Sequence, residues 1–143
     1  MSEGIIESLN EVDIRPVPNT GDHDTAGYWE AAGRGELAIK ACNACGQVLH
    51  LPKAYCHACG SWDSGWRVVQ PTGTLYSWTT TERELRPGFA PPYAVVCVEL
   101  DDAPGTRLIG YLAGRPDLQI GMQMRAYFEK AQGGVMMPHW EPA

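Results

Sequence analysis

With 143 residues and 44 % hydrophobic content, the chain is long enough for one compact domain plus a small module. Its formal charge of −6 sits at the front: residues 1–24 hold six acids and one base, leaving eleven acids and ten bases in a nearly neutral body that would not gather nucleic acid. No apolar run approaches the roughly 20 residues of a membrane span, and Met1-Ser2-Glu3-Gly4-Ile5-Ile6-Glu7 is acidic where a signal peptide is basic, so a cytoplasmic protein without membrane contact is expected.

Residues 1–23, with Pro16, Pro18, Asn19 and Gly21, lack periodicity and read as an extended acidic arm. Its apolar residues Ile5, Ile6, Leu9, Val12, Ile14 and Val17 either pack along a neighbouring subunit or belong to a mobile tail. Residues 24–35 read as a short helix capped by Asp24 or Thr25, running through Tyr28, Trp29, Ala31 and Ala32 and stopped by Gly33 and Gly35. Tyr28 and Trp29 are expected in the core.

Residues 36–66 contain the most specific chemistry in the chain. A strand, Glu36-Leu37-Ala38-Ile39-Lys40, leads into Cys42-Asn43-Ala44-Cys45-Gly46, and a second knuckle, Cys56-His57-Ala58-Cys59-Gly60, follows. Each C-x-x-C-G puts two sulfurs on a tight turn whose glycine takes a positive φ, freeing N–H groups to point at the sulfurs. Two such knuckles facing each other form a four-thiolate cage, with Cys42, Cys45, Cys56 and Cys59 as ligands, and Gln47-Val48-Leu49-His50 supplies a short strand between them. The open readings are structural zinc, iron in a rubredoxin-type centre, a redox pair or disulfides; tandem knuckles with matching glycines fit a metal best, zinc before iron. Four thiolates fill a tetrahedral shell, so Lewis-acid catalysis is not expected there. His50 and His57 are not needed as ligands.

Residues 67–143 read as a barrel with a C-terminal tail. Candidate strands are Trp66 to Gln70, Gly73 to Thr81, Tyr93 to Leu100, Thr106 to Tyr111 and Ile120 to Phe128, rich in β-branched and aromatic residues. Asp101 to Gly105 reads as a hairpin turn and Arg83 to Pro92 as a long Pro-rich loop. In the last strand Ile120, Met122, Met124, Ala126 and Phe128 share the buried face. Tyr93 to Leu100 is apolar on both faces, so something covers both. Cys97 lies among its valines and is expected to be a buried, neutral thiol. His139 and Trp140 are expected to anchor the tail.

The order of helix, four-cysteine ribbon and five-stranded barrel resembles the family of OB-fold proteins with an N-terminal rubredoxin-like zinc ribbon. The likeness rests on the four cysteines, the Trp66-to-Gly73 lead, Ala90-Pro91-Pro92-Tyr93 before Ala94-Val95-Val96, and Ile120-Gly121, and it spans about residues 24–130. It implies a mainly β fold and a partnership with thiolase-like, acyl-CoA-using enzymes, including thiolases, acyltransferases and the retro-aldolases of steroid side-chain breakdown. The family supplies no catalytic residues to carry over, only the four metal positions.

Three classes of function follow. One is a non-catalytic, zinc-containing subunit of a lyase or acyltransferase complex, a hetero-oligomer in which a thiolase-like or aldolase partner makes or breaks the carbon–carbon bond. The others are a stand-alone nucleic-acid-binding OB protein using aromatics such as Tyr76 and Trp78, and a small independent CoA-ester-binding protein. The neutral body speaks against the second. Catalysis by the chain alone lacks a visible acid, base or nucleophile constellation. The subunit reading therefore fits best, and Arg83 and Arg86 beside Phe89 are the candidate contacts for acyl-CoA phosphates.

Overall fold

The computed structural model describes residues 14–143. Ile5, Ile6, Leu9 and Val12 of the expected arm lie outside the described residues, while Ile14 and Val17 are largely exposed. The elements in order are helix α1 (Ala26–Gly33) and strands β1 (Leu37–Cys42), β2 (Ser64–Val69), β3 (Thr72–Thr81), β4 (Tyr93–Leu100), β5 (Arg107–Ala113), β6 (Gln123–Lys130) and β7 (Met136–Pro142). No helix among the described residues is long and apolar enough to cross a membrane.

Helix α1 begins after Thr25, but the Thr25 hydroxyl makes no cap bond. The Asp22 carbonyl instead accepts the N–H groups of Thr25 and Ala26, at 3.1 and 2.8 Å. The helix closes with the paired bonds of a Schellman turn: Glu36 N–H to Ala31 O and Gly35 N–H to Ala32 O, both 2.9 Å, with Gly35 at φ +75°. A side chain at Gly27 would run into the Trp66 indole, so this glycine sets how closely α1 lies on the sheet beneath it.

That sheet is the antiparallel hairpin β1–β2, registered from Leu37 opposite Val69 to Cys42 opposite Ser64. The Trp66 to Gln70 segment is therefore a strand, but it pairs with β1 rather than serving as the first barrel strand. Alternation reveals that a segment is extended; it does not reveal the partner. The Gln47 to His50 segment contributes a single bridge, Val48 to Ala41, in place of the expected strand.

The barrel is a five-stranded sheet ordered β5-β4-β3-β6-β7. Its fifth member is β7, where only a tail was expected. Gly110 of β5 allows Trp140 of β7 to lie against it, so the two outer strands meet and the sheet curls into the partly open barrel of an OB-fold. A bulge between Leu75 and Ser77 turns Tyr76 outward. The hairpin at Asp101 to Gly105 forms as expected, with Gly105 at φ +84°.

Leu75, Val96, Val98, Leu100, Met124 and Trp140 fill the barrel, and Leu37, Ile39 and Val69 of the β1–β2 hairpin join the same core. Tyr28 packs against it from α1. Ile120 departs from its expected inward face and is 66 % exposed, because the chain turns at Gly121 (φ +87°) and β6 starts only at Gln123. Cys97 is half-buried rather than buried, since it sits on the outer face of β4.

Candidate metal centre

Cys42 closes β1, and the chain turns at once. Gly46 N–H bonds back to the Cys42 carbonyl at 2.9 Å with φ +78°, while Ala44 N–H points at Cys42 Sγ at 3.3 Å. The second knuckle repeats the device: Gly60 N–H reaches the Cys56 carbonyl at 2.9 Å with φ +80°. Asn43 ties the first knuckle to the strand leaving the second, through its N–H to the Asp63 carbonyl and its amide to the Asp63 carboxylate, both 2.9 Å.

These turns bring all four sulfurs within 4.8 Å of one another. Cys42 and Cys59 are 3.6 Å apart, as are Cys45 and Cys56. A tetrahedral ion with metal–sulfur bonds of about 2.3 Å sets its ligands about 3.8 Å apart, so the spacing of the quartet suits a zinc-sized ion. Cys42 and Cys56 are buried, whereas Cys45 and Cys59 face outward.

The electrostatics agree. N–H groups of Cys45 and Ala44 hold the Cys42 thiol below its usual range. Burial raises Cys56, but the N–H groups of Cys59 and Ala58 outweigh it and bring the thiol to about 7. For Cys59 the Ser61 N–H lowers the value, yet the crowding of the other sulfurs pushes it up to about 12. Four thiolates so close cannot all ionise without a cation among them. His57 is exposed beside the cage, and His50 lies at the junction with the barrel, where loss of water contact lowers its pKa against a bond to the Arg107 backbone. Neither joins the sulfur cluster.

The other candidates stay apart. Arg83 and Arg86 are exposed on the loop after β3, where the neighbouring Glu82 pairs with Arg115. Tyr76 carries the Arg107 guanidinium at 3.7 Å over its ring, and Trp78 is 37 % exposed.

Two features escaped sequence reasoning. On the outer face of β4 and β5, Tyr93 and Tyr111 join Phe89 of the loop before β4 around an open cavity of about 370 Å³, with His139 in its lining. There Glu129 receives Arg15 and His139, each at 3.1 Å. The second feature is a buried lysine, Lys40, beneath α1. The apolar doubling of β4 signalled the first; a single lysine in a strand signalled nothing.

Two family models match: the ChsH2 rubredoxin-like zinc ribbon domain over residues 29–63 and the ChsH2 C-terminal OB-fold domain over residues 66–129. A probable enoyl-CoA hydratase alpha subunit of Thermomonospora curvata is 37 % identical over 134 residues, covering 91 % of this chain and 40 % of that protein. The 3-oxo-4,17-pregnadiene-20-carboxyl-CoA hydratase alpha subunit of Mycobacterium tuberculosis is 29 % identical over 123 residues, covering 85 % of this chain and 37 % of that protein. The chain thus spans about two fifths of the length of these curated relatives. Among solved structures, the Ltp2-ChsH2(DUF35) aldolase matches with a TM-score of 0.78 and 32 % identity over 90 % of this chain and 98 % of that one. A DUF35-family protein of unknown function from Sulfolobus solfataricus matches at 0.58 and 11 % identity over 99 % and 96 %, which speaks for the fold alone.

Proposed function

Because this chain belongs to the ChsH2 family of zinc-ribbon OB-fold proteins, we propose that it is the non-catalytic, zinc-holding subunit of an aldolase complex acting on acyl-CoA thioesters. Its partner is a thiolase-like enzyme that carries out the carbon–carbon bond cleavage, and a steroid side-chain acyl-CoA is the substrate class we infer. The observation that carries this reading is the likeness to the Ltp2-ChsH2(DUF35) aldolase, of which this chain spans 98 % of one subunit at 32 % identity.

In this reading Cys42, Cys45, Cys56 and Cys59 hold one zinc ion with no open position, and the ion supplies rigidity rather than chemistry. We divide the chain into an arm (1–23), a helix (24–35), the ribbon (36–66) and the barrel with its tail (67–143); β2 crosses the last border. The complex works in the reducing cytoplasm, where thiols remain available to metal. The apolar outer face of β4 and β5, where Ile109 is 68 % exposed, supports a docking role: contact there removes Phe89, Tyr93 and Tyr111 from water and forms one wall of the partner's acyl channel. Arg83 and Arg86 are the cations at hand for CoA phosphates.

The test is reconstitution. The chain is purified alone, the thiolase-like partner is purified alone, and retro-aldol cleavage of a β-hydroxyacyl-CoA is measured for each and for the mixture. The chain alone is expected to be inactive, and the mixture to form a stable hetero-oligomer with higher turnover than the partner. Turnover by the isolated chain, or a partner whose assembly and rate ignore it, would overturn the reading.

A further inference from the structure

Ile14, the first described residue, already lies on the barrel. At Gly88 (φ +97°) a Cβ would meet Arg15 Cγ at 3.0 Å, the Arg15 backbone nitrogen at 3.1 Å and Ile14 Cγ1 at 3.2 Å, so a glycine is what lets the chain run this close. The Arg15 guanidinium then fastens the chain to Glu129 at 3.1 Å, on the carboxylate that also receives His139. Both anchors stand at the rim of one hollow. Gly88 precedes Phe89, and Phe89 and His139 line the open cavity of about 370 Å³ on the outer face of β4 and β5. Residues 1–13 therefore join the described chain at the edge of that cavity.

The face beyond this edge is apolar across two strands. Register sets Val95 opposite Tyr111 and Cys97 opposite Ile109, and Ile109 is 68 % exposed. A continuous apolar surface of this kind calls for a cover.

The chain ahead of Ile14 has the matching composition. Residues 1–13 carry Ile5, Ile6, Leu9 and Val12 among Glu3, Glu7, Glu11 and Asp13, with no lysine or arginine. On the loop that leads into Phe89, Arg83 and Arg86 are exposed against Glu84 alone, because Glu82 is taken by Arg115. An acidic segment with apolar side chains thus meets an apolar face with arginines at its edge. Its length suffices in any conformation: thirteen residues span about 20 Å as a helix and about 40 Å extended, against about 23 Å for the seven residues of β5. A tether this short also holds the segment at an effective concentration in the millimolar range, so weak contacts are enough.

We propose that residues 1–13 dock on the outer face of β4 and β5 in the free chain, with Ile5, Ile6, Leu9 and Val12 over Tyr93, Ile109 and Tyr111, and that the partner displaces them to bind there. The displacement rests on the docking reading above; the coverage does not.

The test uses the zinc-loaded full chain with isotope-labelled methyl groups on Ile, Leu and Val. Nuclear Overhauser contacts are expected between the methyls of Ile6 or Leu9 and those of Val95 or Ile109. In a mixture of labelled and unlabelled chains, filtered for contacts between molecules, none is expected. Ile5→Ser, Ile6→Ser, Leu9→Ser and Val12→Ser combined in one full-length variant should remove the contacts and move the Ile109 methyl resonance, with zinc content unchanged. That variant is expected to bind the thiolase-like partner about tenfold more tightly than the native chain, as when a site blocked about nine-tenths of the time is freed. Absence of the contacts in the free chain, contacts only between molecules, or a variant that binds the partner no more tightly would each overturn the proposal. A partner that binds neither chain would overturn the docking reading and the displacement with it, while the free-chain contacts still decide the coverage.

Discussion

His139 shows how much one side chain's surroundings determine. It is 7 % exposed, with Nε2 3.1 Å from Glu129 and the rings of Tyr127 and Tyr111 at 5.5 and 5.9 Å. Burial lowers its pKa, Glu129 raises it and Arg15 lowers it again, and burial prevails. A histidine depressed in the fold binds fewer protons there than in the unfolded chain, where it titrates near 6.5. Its contribution to stability is therefore complete above that pH and is lost as the pH falls through the lowered folded value. Urea unfolding between pH 7.5 and about 5 is expected to show the native protein losing stability more steeply than His139→Gln, which has no proton to gain. Parallel curves would mean that protonation of His139 costs the fold nothing.

At the scale of elements, what could be read in the sequence depended on whether a pattern names its own partner. The cysteine knuckles do, because two C-x-x-C-G turns carry both their geometry and their shared ligand, and the four sulfurs meet as expected. Tyr93 to Leu100 could be placed to the residue because every second side chain enters the core. β2 reads as a strand but not as the partner of β1, since nothing in Trp66 to Gln70 says that β1 lies opposite. β7 was missed because Pro138 and Pro142 demote a strand. Both are tolerated because β7 is hydrogen-bonded on one side only, to β6, from Met124 opposite Pro142 to Lys130 opposite Met136. Lys40 was unreadable for the same reason as β2: its burial comes from α1 and Trp66, across the sheet. The weight β7 carries is testable at Trp140, which is 2 % exposed and sits in the barrel core against Gly110. Trp140→Ala should cost roughly 3–5 kcal/mol, a large part of the about 5–15 kcal/mol of a small domain. Trp62→Ala, at a site 74 % exposed, should stay within about 0.5 kcal/mol. Denaturant midpoints of the two variants would compare them directly, and equal losses would deny β7 its place in the core.

For the whole molecule the question is what the metal holds. Outside the barrel core the ribbon buries only Cys42, at the end of β1, with Leu49 and Cys56 as a cluster of its own, far too little apolar area to order the loop that carries both knuckles. The hairpin strands are different: Leu37, Ile39 and Val69 belong to the barrel core, which extends from β1 to β7. Structural zinc supplies on the order of 10 kcal/mol or more to folds of this kind, and under the proposed zinc-holding role that energy is expected to fall on the knuckles rather than on the barrel. Removing the ion at neutral pH with a strong chelator should therefore release residues 43–63 and leave the remainder folded. In amide exchange Asn43, Gly46, Cys56 and Gly60 are expected to lose their protection, because their bonds to Asp63, Cys42, Ser61 and Cys56 exist only in the closed knuckles. Leu75, Val96, Val98 and Trp140 should exchange as slowly as before, and Ile39 should follow them rather than the knuckles, since its side chain is held from the barrel side. Cooperative loss of protection at all these positions would show instead that ribbon and barrel form one folding unit, with the ion as a keystone for both.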